Sequence, residues 1–73
     1  MAGRPPITNR IRELRTQHGA MTQAELGDRV GVTRQTIIAI EAQKYAPSLE
    51  LAFKLARVFG RPLDGVFQFH AHD

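Results

Sequence analysis

The sequence predicts an all-α domain, a compact bundle of five short helices, and three observations point to it. Apolar residues recur three or four apart, as in the pairs Leu26/Val30 and Ile37/Ile40, the spacing that shares one face of a helix. Thr22, Thr33 and Ser48 stand just ahead of such runs and Gly19, Gly31 and Gly60 just behind them, as caps and stops do. The six residues between the two apolar pairs leave a turn of only about three once the helices carrying the pairs are allowed for, which fits an angled helix-turn-helix.

Each element follows in order. The chain has 73 residues, 42% of them apolar, and a formal net charge of +3. That supports one domain with a marginal core, which needs well-capped helices or a second copy of the chain. The domain is expected over residues 8–67, with a flexible arm at 1–7 and a tail at 68–73 that could form a dimer contact. Arg4 in the arm reads either as a minor-groove contact or as a solvated terminus.

Thr8 or Asn9 is the expected cap of a first helix that ends near Gln17. Ile11 and Leu14 give it an inner stripe. Arg10 and Arg12 face either solvent or phosphate, and His18 stands alone near the helix end, where positive charge is favoured. Met21 is expected to plug the following turn. Thr22 and Glu25 fit the Ser/Thr-x-x-Glu capping box of the second helix. Gly31 ends it in a left-handed conformation that costs glycine nothing.

The third helix, residues 33–42, carries the chemistry. Ile37 and Ile40 define its inner face, so Gln35, Ile38, Ala39 and Ala42 point outward with Arg34 at the flank. Such a face is unusual for a solvated helix and suits a DNA major groove. Arginine pairs with guanine, glutamine with adenine, and small apolar groups touch the thymine methyl. Arg34, Gln35, Ile38 and Ala39 are therefore the base-reading candidates. Thr22 and Gln23, at the start of the second helix, can hold a phosphate. Thr33, Lys44 and Tyr45 are further backbone-contact candidates, although Tyr45 serves equally as cover for the core edge.

Residues 49–60 are apolar nearly all round, with only Glu50, Lys54 and Arg57 marking a polar strip. Leu49, Ala52, Leu55, Ala56 and Phe59 are expected to face the core. Leu51, Phe53 and Val58 then need cover from the last helix, the tail or a second subunit. Pro62 opens a short fifth helix through about Phe67, and Gly65 weakens it. Phe69 alternates with polar neighbours and could pair as a strand with a twin chain. Leu51, Phe53, Val58, Phe67 and Phe69 are thus the dimer candidates.

Several classes are disfavoured. Without cysteine there is no disulfide or cysteine zinc site. His70, His72 and Asp73 lie too near an end to hold a metal in fixed geometry, and no cofactor is expected. An enzyme is not expected either, because no glycine-rich phosphate loop or placed carboxylate pair is present. No long apolar run or signal-peptide core appears, and a soluble cytoplasmic protein is expected.

Gln23, Leu26, Gly27, Gly31, Val32, Ile37, Ile40 and Glu41, followed by KYAPSLELAFKLARVFG, resemble the lambda-repressor/Cro-type, or Xre-like, transcriptional regulators over about residues 9 to 67. The resemblance implies a partly buried Arg15–Glu41 ion pair. It also implies that Gly27 is small because the third helix crosses there. The chain departs from the family at Ala42-Gln43, where Asn-Gly is common, so either the helix extends or Gln43 takes a costly conformation. The combined expectation is a small sequence-specific regulator of double-stranded DNA, a homodimer and a repressor, with a regulatory protein partner possible. The alternative is a protein-binding helical module such as an antitoxin.

Overall fold

The computed structural model describes residues 6–70. The elements run β1 (Ile7–Asn9), α1 (Ile11–Gln17), α2 (Gln23–Val30), α3 (Arg34–Glu41), α4 (Leu49–Phe59), α5 (Leu63–Val66) and β2 (Phe67–Phe69). Arg4, His72 and Asp73 lie outside the described residues.

The five helices are present, but the fold is not purely helical. β1 and β2 pair antiparallel, with Ile7 opposite Phe69, Thr8 opposite Gln68 and Asn9 opposite Phe67. The Arg10 amide donates to the Val66 carbonyl at 2.9 Å and the His70 amide to the Pro6 carbonyl at 2.7 Å, extending this ladder at both ends. Ile7, expected in the arm, and Gln68 and Phe69, expected in the tail, are therefore strand residues. The strand of Phe69 pairs with the chain's own start, where the sequence suggested a twin chain.

The helix ends of α2 follow from local chemistry. The Thr22 hydroxyl accepts from the Glu25 amide at 3.0 Å, and the Glu25 carboxylate accepts from the Thr22 amide at 2.8 Å. Gly31 closes the helix at φ 80°, a conformation glycine adopts without steric cost. Ser48 caps α4 through the Leu51 amide at 3.1 Å. Neither Thr8 nor Asn9 holds the cap position of α1, which falls to Arg10 without a side-chain cap bond. Thr8 lies in β1 and its hydroxyl meets His70 Nε2 at 2.8 Å, while Asn9 Oδ1 accepts from the Ile11 amide at 3.2 Å.

The core is built from Ile11 and Leu14 of α1, Met21 of the turn, and Leu26 and Val30 of α2. Ile37 and Ile40 of α3, Leu51, Leu55, Ala56 and Phe59 of α4, and Val66 of α5 complete it. Met21 is the plug its position suggested. Leu51 is a correction: it is only 8% exposed and belongs to its own chain's core, whereas Leu49 is 66% exposed. The buried arc of α4 centres on Leu55 and Phe59, and Leu49 falls in the first turn at its flank. Val58 and Phe67 are also half-covered by this core, leaving Phe53 and Phe69 exposed. His18 sets its ring edge-on to Phe59, with centroids 5.8 Å apart.

Candidate nucleic-acid interface

The angle between α2 and α3 is set by a close backbone approach. A Cβ added at Gly27 would meet the Val32 carbonyl oxygen at 2.7 Å and the Thr33 carbonyl oxygen at 3.3 Å. The Gly27 carbonyl in turn accepts the amides of Gly31 at 2.8 Å and Val32 at 2.9 Å. Thr33 then starts α3, its hydroxyl accepting from the Thr36 amide at 3.2 Å.

The other end of α3 is held from outside. Arg15 Nε donates to Glu41 Oε2 at 2.6 Å and Nη2 donates to Oε1 at 3.1 Å. The side chains are 14% and 10% exposed. Arg15 Nη1 also donates to the Met21 carbonyl at 2.9 Å, so one planar guanidinium joins α1, the turn before α2 and α3. Asn9 Nδ2 donates to the Ile40 carbonyl at 2.9 Å. The same carbonyl also accepts the Gln43 amide at 2.9 Å, so Asn9 adds a second bond at the helix end.

Beyond Ala42 the helix stops, and Gln43 takes the left-handed conformation at φ 61°. The amides of Gln43 and Lys44 donate back to Ile40 and Ala39, both at 2.9 Å, the double closure usually given to glycine. Of the two outcomes the sequence left open, this is the strained one.

Glu41 is the one carboxylate of α3, and its pairing turns it inward. Arg34 and Gln35 are exposed, and Ile38 and Ala39 are partly exposed. The outer face of α3 thus carries a cation, an amide and small apolar groups, and no negative charge. Gln23 is tied into the same arrangement, its amide donating to Glu41 Oε1 at 3.2 Å. Thr22 remains exposed.

A polar cleft runs beside this face, lined by Arg12, Arg15, Thr22, Gln23, Arg34 and Glu41 among others. It brings Thr22, Gln23 and Arg34 together. It also includes Arg12, which the sequence left between solvent and phosphate. The signal for Arg12 was its place one turn before Arg15 on α1, readable only once α1 was set against α2. Lys44 and Tyr45 lie exposed in the loop after α3. Tyr45 stands outside the core cluster, against its reading as cover for the core edge.

Glu13 is held below its ordinary range by its hydrogen bond and charge interaction with Arg10. Glu25 is lowered by hydrogen bonds from the Thr22 amide and hydroxyl. Among the described residues no cluster of histidine and carboxylate side chains is placed to hold a metal. No helix among them is long and apolar enough to cross a membrane.

Two helices crossing on a glycine, the second with an outward face stripped of negative charge, define a helix-turn-helix domain. The comparison with known proteins agrees: a helix-turn-helix family model matches residues 11–66. The chain is 53% identical over 63 residues to an HTH-type transcriptional regulator of Archaeoglobus fulgidus, covering 86% of this chain and 89% of that protein. It is 48% identical over 61 residues to the HTH-type transcriptional regulator YgzD of Bacillus subtilis, covering 84% and 91%. It is 34% identical over 57 residues to the cryptic phage CTXphi transcriptional repressor RstR of Vibrio cholerae, covering 78% of this chain and 50% of RstR. The chain belongs to the lambda-repressor-like, or Xre-like, family of helix-turn-helix transcriptional regulators.

Proposed function

We propose that this protein binds double-stranded DNA in a sequence-specific manner, as a homodimeric repressor, by placing α3 in the major groove. One observation carries the reading. The sole carboxylate of α3 is folded inward onto Arg15, so that the face meeting the phosphates is free of negative charge. In this reading Arg34 and Gln35 contact base edges, and Ile38 and Ala39 make apolar contact. Arg12, Thr22, Gln23, Thr33, Lys44 and Tyr45 hold the backbone and fix the register. Repression is the outcome named for the Vibrio cholerae relative, and a chain seated on a promoter achieves it by exclusion. The role is that of a binding protein, without catalysis.

Selection from a random duplex library, followed by binding of the recovered sequence at several salt concentrations, tests the reading. Gln35→Ala is expected to relax base preference at a cost of about 1–3 kcal/mol. Lys44→Ala is expected to weaken all sequences alike and lower the salt slope by roughly one unit. Equal losses for both variants on selected and random DNA would overturn the division of roles. The partly exposed Ile38 favours a second reading, a protein-binding module such as an antitoxin. DNA affinity that stays weak and sequence-blind at low salt would select it.

A further inference from the structure

A second polar cleft contains no residue of α3. It opens where the C-terminal end of α2 packs on α4, and its walls are Asp28, Arg29 and Val30 on one side and Lys54, Arg57 and Val58 on the other. It shares no lining residue with the cleft of Arg12, Thr22, Gln23 and Arg34. The two clefts use opposite ends of α2, with centres about 9 Å apart along its axis.

Lys54 and Arg57 stand three positions apart and so share a face of α4, and Arg29 lines the same cleft from α2. The lining thus carries three cations against the one carboxylate of Asp28. The neighbouring acids hold these cations loosely. Lys54 Nζ lies 3.2 Å from Glu50 Oε2, with both side chains more than half exposed, and Arg29 acts on Glu25, one turn earlier on α2. Exposed pairs of this kind exchange partners at little cost. Arg57 takes part in no ion pair among the described residues. The floor between the cations is apolar: Val30 is 4% exposed, and Val58 is half-buried against the core. The DNA contact proposed above uses none of the three cations.

We infer that this cleft docks an acidic segment of a partner protein, with its carboxylates on Arg29, Lys54 and Arg57 and an apolar side chain over Val30 and Val58. Three observations select that occupant. The valine floor offers nothing to a phosphate and a seat to an apolar side chain. Asp28 inside the lining repels an unbroken row of phosphates, whereas a peptide can set an amide or a hydroxyl opposite it. A second copy of this chain fits poorly, because its acids are scattered, no two of them less than three positions apart, in a chain of net charge +3.

The placement has a functional consequence. An occupant at the far end of α2 leaves α3 open, so one molecule can carry the partner and DNA at once. The docking rests on the cleft alone, and only this joint occupancy rests on the DNA reading.

Selection of a random peptide library on the full chain, followed by amide NMR with a recovered peptide, tests the inference. The recovered peptides are expected to be acidic with an apolar residue among the acids, and to shift the amides of Asp28 to Val30 and Lys54 to Val58. Arg29→Gln combined with Arg57→Gln is expected to weaken peptide binding roughly tenfold, and Lys44→Ala to leave it unchanged. The NMR mapping on the unaltered chain stands even if the paired variant folds poorly. Recovery of no peptide, recovery of peptides without acids, or shifts confined to α3 would each overturn the inference. So would a labelled random duplex that shifts the same amides and loses affinity in the paired variant, since the cleft would then be a second phosphate site. Adding that duplex to the peptide complex separates the two readings. Peptide binding without DNA binding sinks the DNA reading alone, and DNA binding without peptide binding sinks this one alone. Displacement of the peptide by the duplex would overturn joint occupancy.

Discussion

The two ends of α3 are built on different principles. The beginning is fixed by residues close in sequence: a backbone approach at Gly27, a left-handed glycine at Gly31 and a threonine cap at Thr33. The far end has a backbone closure but no glycine for it, and Gln43 is held left-handed at φ 61° where glycine would be at ease. Distant side chains, Arg15 on Glu41 and Asn9 on the Ile40 carbonyl, secure it instead. The comparison shows that one helix can be aimed by its own sequence at one end and by the rest of the domain at the other.

The largest break should come at the locally built end. Gly27→Val would drive a branched side chain into the Val32 carbonyl, a backbone atom that cannot move without opening the angle between α2 and α3. A loss of about 3 kcal/mol or more in urea unfolding is expected, together with loss of DNA binding. Wild-type stability would show that the turn can slide.

Arg15→Ala should come next, at about 3 kcal/mol, because it leaves the Glu41 carboxylate poorly solvated and unpaired. Arg15→Lys should recover only part of this, since an ammonium cannot match the two-pronged contact. The expected signature is a lower urea midpoint with an unchanged slope. If lysine restored full stability, charge alone would account for the tie.

A gain is expected at Gln43. Gln43→Gly should raise stability by roughly 1 kcal/mol, by relieving the left-handed strain, and a calorimetric melt would show a higher midpoint. A lower midpoint would mean that the Gln43 side chain makes a contact worth more than the strain.

The smallest effect concerns pH at the start of α2, which is also built locally. Glu25 is depressed below its ordinary 4.5 by the capping box. Its contribution is therefore fully present above that value and is lost as pH falls through the lower folded value. Glu25→Gln should flatten the acid side of a stability profile without changing its neutral plateau relative to other surface variants. An unchanged acid limb would assign the acid sensitivity elsewhere.

What the sequence made legible follows the same division. Thr22, Glu25, Gly31 and Thr33 could be read directly because a cap or a stop needs only residues within a turn of itself. The Arg15–Glu41 pair spans 26 positions and was expected only through family resemblance. The ribbon was missed because three-residue strands such as ITN and FQF show no useful periodicity, and their partners lie some 60 positions apart. Leu49 and Leu51 were exchanged for a related reason. α4 is apolar nearly all round, so its rotation is decided by the helices it packs on. Arg12 joined the cleft only when α1 was placed beside α2.

Asn9 has a mechanical consequence. It is the last residue of β1, its side chain accepts the first amide of α1, and it grips the end of α3. In the proposed homodimer it would brace the groove-probing helix of each chain against that chain's own ribbon and first helix. The separation and phase of the two probes would then behave as a stiff ruler. Each base pair added between half-sites turns one site by roughly 35° about the duplex axis. A single added pair should therefore cost far more affinity than a change of sequence in the same spacer.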